Sequence, residues 1–164
     1  MQPILLNSCA RAATAEEAQF RIDKPIPGRD GTRVIALDEA AAVVVRRLAS
    51  RHHTLTHLLT VALGEAGTDG NLTLRGPDGM QSQLNSELCG ADLVVMVATA
   101  DANPVAAAAI ADSCSSRGIM TAGVILDGRQ PGGPALNALR PHARVLMSSH
   151  DGSDVAEVLT ALRA

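Results

Sequence analysis

Aromatic residues are almost missing from this chain: Phe20 stands alone, without a tryptophan or a tyrosine. With no aromatic platform on which exposed bases could stack, single-strand nucleic-acid recognition loses its usual means. Basic runs are missing too, and a net charge of −3 at pH 7 offers nothing to a phosphate backbone or an anionic membrane. Cysteine occurs three times, as Cys9, Cys89 and Cys114. That number is odd and the spacing wide, which fits neither a disulfide framework nor a metal-ligand set and places the chain in a reducing cytoplasm. No window approaches the roughly 20 apolar residues of a membrane span. The apolar run Pro3 to Leu6 ahead of Asn7-Ser8-Cys9 lacks the basic leader and the length of a secretion signal.

What the chain does have is aliphatic residues in short blocks. Its 164 residues, 46% of them hydrophobic, suffice for one domain that buries roughly two thirds of its unfolded surface. The core must then be built from Val, Leu, Ile, Met and Ala.

The clearest block is Gly90 to Asp127. Leu93 to Val97 is an unbroken apolar run with β-branched residues, too short for a buried helix, as expected of a strand covered on both faces. Asn103 offers an N-cap and Pro104 sits where a helix accepts proline. The alanine-rich run to Cys114 follows, and Gly118 supplies a left-handed stop. A second apolar run, Ile119 to Leu126, completes a βαβ unit, which is right-handed and parallel in nearly all cases.

The remaining blocks follow the same alternation. Residues 1–32 read as an N-terminal arm, with Ile4 to Leu6 and Phe20 to Asp23 extended, Thr14 to Gln19 a helical turn, and Pro25, Pro27, Gly28 and Gly31 as punctuation. Residues 33–164 read as one domain. Arg33 to Leu37 predicts a strand and Glu39 to Arg51 a helix with acid at its start and base at its end. His57 to Leu63 is a strand, Asn71 to Leu74 a polar edge strand, and Met80 to Leu88 a polar helix. After the central unit come a Gly/Pro loop from Asp127 to Pro134, a helical turn at Ala135 to Leu139, a strand at Arg144 to Met147, and a final helix from Asp151 to Arg163. The fold class is therefore α/β: a three-layer (αβα) Rossmann-like sandwich with a mainly parallel sheet.

Ligands of such sheets bind beyond the carboxyl ends of the strands, where the winding direction reverses. The turns that meet there are Asp38-Glu39 and Thr99 to Asn103. Neither is glycine-rich, so neither is a phosphate cradle of the usual kind. Candidate ligand-binding residues at that end of the sheet are Asp38, Glu39, Thr99, Asp101, Asn103, Asp127, Ser148 and His150. The ring of carboxylates, joined by Asp151, has two explanations: a hard-cation site, or helix caps that need no ligand. No cofactor is indicated and no catalytic residue is legible.

Other constellations have plainer explanations. His52, His53 and His57 have no Cys, Asp or Glu nearby in sequence to complete a metal site, and a helix end accounts for them. Ser148-Ser149-His150-Asp151 carries the residue types of a hydrolytic triad, but neighbours along a strand point in different directions; a polar binding rim fits better. Cys89 and Cys114 read as inert thiols.

Gly90-Ala91-Asp92 leading into an apolar strand, the small-residue helix Val105 to Ala111, and Thr121-Ala122-Gly123-Val124 in the next strand together resemble the second half of the nucleotide-binding domain of the tubulin and FtsZ GTPase family. Arg33 to Arg51 and the strand after it are consistent with that domain's first βαβ. The resemblance implies a related layered fold. The family's glycine-rich phosphate loop is replaced here by Thr99 to Pro104, so GTP binding and hydrolysis are not implied and no catalytic residue carries over.

The functional expectation is a small-ligand-binding or assembly module that engages neither nucleic acid nor membrane and forms a homodimer. The competing expectation is a Mg²⁺-assisted hydrolase or transferase using Asp38, Asp101 and Asp127. A third is a structural subunit that docks through the alanine-rich face Val105 to Ala111.

Overall fold

The computed structural model describes residues 29, 31–49, 57–66, 72–126, 132–150 and 152–162. The arm elements before residue 29, and Cys9, His52, His53, Asp127 and Asp151, lie outside the described residues. In chain order the elements are β1 (Thr32–Ala36), α1 (Glu39–Ala49), β2 (His57–Ala66), β3 (Leu72–Arg75), β4 (Gln81–Gln83), α2 (Leu84–Glu87), β5 (Leu93–Thr99), α3 (Pro104–Ser115), β6 (Met120–Leu126), α4 (Pro134–Leu139), β7 (Val145–Ser149) and α5 (Asp154–Leu162).

The strands form one seven-stranded sheet in the order β4-β3-β2-β1-β5-β6-β7. Five strands pair in parallel, and β3 runs antiparallel to both β2 and β4. Alternation along the central strands divides the core. Val34 and Ala36 of β1 and Leu93, Val95 and Val97 of β5 point to one face, where Ala41, Ala42 and Val45 of α1 and Val155, Val158 and Leu159 of α5 cover them. Ile35, Val94, Met96 and Ala98 point to the other, under Leu84 of α2, Ala106, Ala107, Ile110 and Ala111 of α3, and Leu136 and Leu139 of α4. That is a three-layer α/β sandwich, and burial on both faces explains why β1 and β5 are unbroken apolar runs.

Winding follows from the same placement. The crossover through α1 moves from β1 to β2, and the crossover through α3 moves the opposite way, from β5 to β6. Crossovers of one hand that travel in opposite directions lie on opposite faces, as α1 and α3 do. The direction therefore reverses between β1 and β5, which pair from Thr32↔Leu93 to Ala36↔Val97.

Helix α3 shows how local chemistry sets the unit. Asn103 accepts a hydrogen bond from Val105 N at 2.9 Å ahead of Pro104. At the far end Gly118 takes φ +68°, and Ile119 N donates back to Cys114 O at 2.9 Å. Its alanine face lies within the domain: Ala106, Ala107 and Ala111 are buried, and Val105, 67% exposed, is the large apolar residue that α3 leaves outside. Part of the docking face expected of a structural subunit is thus used internally, while Val105 is exposed and Ala108 and Ala109 are half-buried.

Two sequence expectations are corrected. Met80 to Leu88 is a three-residue strand, Gln81–Gln83, followed by the one-turn helix Leu84–Glu87. The β3 segment is accordingly not the sheet edge; β4 is. The cause is the hairpin at Gly76-Pro77-Asp78-Gly79, in which Gly79 adopts φ +82° and Gly76 N donates to Met80 O at 2.8 Å. That turn returns the chain onto β3, and tertiary pairing then overrides the helical preference of Gln81 and Gln83.

Candidate functional site

The crevice at the β1/β5 reversal is closed by one side chain. Asp38 follows β1 and caps α1: its Oδ1 accepts from Ala41 N at 2.9 Å. Its Oδ2 accepts from Thr99 N at 2.7 Å and from Thr99 Oγ1 at 3.1 Å. One carboxylate thus joins the turn after β1 to the last residue of β5. An anion at a helix N-terminus is favoured by the unpaired amides and the helix dipole, and here the protein supplies that anion from its own chain.

The other expected residues divide by what they touch. Glu39 is exposed and ion-paired with Arg46, whose Nε also donates to Ala42 O at 3.2 Å. Asp101 is exposed in the tight turn in which Ala102 N donates to Thr99 O at 3.2 Å. Asn103 is spent as the α3 cap. Ser148 and His150 are exposed at the end of β7, which β6 separates from β5, a gap of about 10 Å from ordinary strand spacing. Between them Ser149 is buried, its Oγ accepting from Gly152 N at 3.1 Å. Asp38 and Thr99 are therefore brought into contact, while Ser148 and His150 share only the end of the sheet with them.

The segment after β6 presses on the same turn. Gly133 has φ +115°, and a Cβ built on it would lie 2.5 Å from Ala100 O. Glycine is needed there for both reasons. Beside α1, a groove of about 330 Å³ is lined by Glu39, Arg46, Thr60 and Arg75 together with Pro77 and Gly79 of the hairpin. Arg75 and Thr60 are cross-strand partners, so this groove has a polar, partly cationic wall next to the acidic mouth.

A cation site gains no support at Asp38, since both of its oxygens are turned to N–H and O–H donors. Among the described residues no group of three His, Cys, Asp or Glu side chains is placed to hold a metal.

Cys114 is fully buried on α3, and burial pushes its thiol from the ordinary 9.0 up to about 11, against smaller opposing effects of a Thr121 hydrogen bond and the Arg117 charge. It is a core thiol and not a nucleophile. Cys89 is exposed in the turn before β5.

Sequence reasoning missed one cluster. Arg33, buried at the start of β1, directs Nε to Glu87 O at 2.9 Å and lies 3.6 Å from Glu87 Oε2; His57 Nδ1 lies 3.6 Å from the same oxygen. The available signal was Arg33 itself, a charge at the head of a strand covered on both faces, which requires a partner from elsewhere.

Among the described residues no helix is long and apolar enough to cross a membrane. Comparison with protein-family models, with curated proteins and with solved structures finds no match for this chain.

Proposed function

We propose that this chain is a binding module built on an open α/β sheet whose anion position is filled by its own Asp38, and that it holds an uncharged or positively charged small ligand at the C-terminal end of that sheet. The observation that carries this reading is the set of three hydrogen bonds into Asp38. They consume the α1 amide and the Thr99 donors that a phosphate would otherwise recruit. Asp101 at the mouth adds negative charge, which opposes an incoming anion. On this reading the kinship with the tubulin and FtsZ domain, carried by the residues from Gly90 to Val124, is one of architecture without nucleotide binding. The assembly we propose is a symmetric homodimer, the commonest soluble form, and light scattering reads it directly.

A ligand screen by thermal shift and amide NMR tests the reading. GTP, ATP, NAD and an acyl-CoA should leave the melting temperature unchanged relative to matched Mg²⁺ and salt. Neutral polyols and small amines should include compounds that move the amide signals of Thr99 to Asn103. Saturable stabilisation by a nucleotide would overturn the reading, because a ligand that binds the native state must raise its stability.

A further inference from the structure

The sheet has β4 at one margin and β7 at the other, and the two margins differ. Strand β4 is short, Gln81–Gln83, and passes straight into α2. Strand β7 has five residues, Val-Leu-Met-Ser-Ser, with no charge and no proline. It pairs with β6 without a break from Ala122↔Val145 to Leu126↔Ser149. Edge strands are kept from pairing with other chains by shortness, charged side chains, proline or bulges; β7 carries none of these devices.

The backbone groups that face outward follow from one hydrogen bond. Arg144 N donates to Thr121 O of β6 at 2.8 Å, and successive residues of a strand turn their N–H and C=O to alternate sides. Leu146 and Ser148 therefore bond to β6, while Val145, Met147 and Ser149 turn their N–H and C=O to the open edge. None of these outward groups bonds to another segment among the described residues.

This row of donors and acceptors is its own complement. An antiparallel copy with a two-fold axis at Met147 sets Val145 opposite Ser149 of the partner subunit and Met147 opposite its own equivalent, and each such pair exchanges both of its bonds. A shift of one residue sets outward groups against inward ones, and a shift of two leaves Val145 or Ser149 unpaired. Across the strands no charge meets a like charge between Val145 and Ser149, since all five side chains are neutral.

We propose that β7 is the surface through which two copies of this chain join, edge to edge about a two-fold axis at Met147, so that their sheets become one. The inference rests on the homodimer reading given above and adds the surface that makes it. Five residues a side fall well short of the roughly 20–30 of a standard interface, so the dimer forms in a concentration-dependent way.

Sedimentation and light scattering across about 1 to 500 µM, where mass action sets the dimer fraction, should show the parent passing from monomer to dimer. Amide hydrogen exchange should protect Val145, Met147 and Ser149 at the high concentration only, and Leu146 and Ser148 at both. Met147→Pro deletes an outward donor and spares the bonds to β6, the placement at which an edge strand accepts proline; it should leave a folded monomer. Ser148→Lys is a second arm. Ser148 is exposed, so the fold is kept, and the two lysines would stand diagonally across the axis, about 7–8 Å apart at their backbones, weakening the dimer at least about tenfold, as like charges on an edge do. A parent that stays monomeric throughout overturns this inference together with the homodimer reading. A dimer that survives both variants, or exchange at Met147 that does not change with concentration, overturns this inference alone.

Discussion

Replacing Asp38 by alanine removes three hydrogen bonds at once. Loss of the α1 cap costs about 1 kcal/mol, and leaving the half-buried Thr99 N–H and hydroxyl without an acceptor costs a further 1–3 kcal/mol, roughly. The expected destabilisation is therefore about 2–4 kcal/mol, or a melting-temperature drop of roughly 5–15 °C for a chain of this size. With Phe20 as the sole aromatic residue, fluorescence reports little, so urea unfolding followed by far-ultraviolet circular dichroism is the assay. A double-mutant cycle with Thr99→Val separates the two functions of the carboxylate. Thr99→Val deletes the hydroxyl that donates to Oδ2 at 3.1 Å and spares the backbone amide, so Asp38→Ala and Thr99→Val should couple by about 0.5–1.5 kcal/mol. If Asp38→Ala stays within about 0.5 kcal/mol of the parent, as an ordinary surface change would, or if the two changes are strictly additive, the closed crevice is refuted.

Other perturbations test the surroundings. Gly133→Ala should destabilise by at least about 2 kcal/mol, since its φ is positive and its Cβ would meet Ala100 O; a melting temperature equal to the parent's would contradict this packing. Thr32 is fully buried and its Oγ1 has no partner among the described residues, so Thr32→Val should be neutral or stabilising by up to about 2 kcal/mol, measured by the urea midpoint. For Cys114 the sign runs with protonation. Below pH 9.0 the thiol is neutral folded and unfolded, whereas between 9.0 and about 11 only the unfolded chain releases the proton, so stability falls as pH rises through that window. Cys114→Ala should flatten that part of the curve, and at pH 8 iodoacetamide should label Cys89 in the native protein while sparing Cys114.

The layered fold was legible because both-face burial writes itself as unbroken apolar runs. β1, β5 and β6 carry that signature, and Asn103-Pro104 with Gly118 marks the ends of α3. The edge was not legible, because Gln81-Ser82-Gln83 has no apolar pattern of its own and becomes a strand only through pairing with Thr73, Leu74 and Arg75. At the site, residue type singled out Asp38 and Thr99 separately. Their mutual hydrogen bond spans 61 positions and depends on β1 and β5 being neighbours, which no local pattern states. The Arg33–Glu87–His57 cluster was hidden for the same reason, each member lying on a different element.

The central claim is that Asp38 supplies the anion this crevice would otherwise bind. The most direct measurement is the melting temperature of the parent chain and of Asp38→Ala across an acetate titration, with sodium chloride at matched ionic strength as reference. Acetate should raise the variant's melting temperature saturably by refilling the Ala41 and Thr99 donors, as binding to the native state requires, and should leave the parent's unchanged. The same response in both proteins, whether a shared rise or none, would contradict the account.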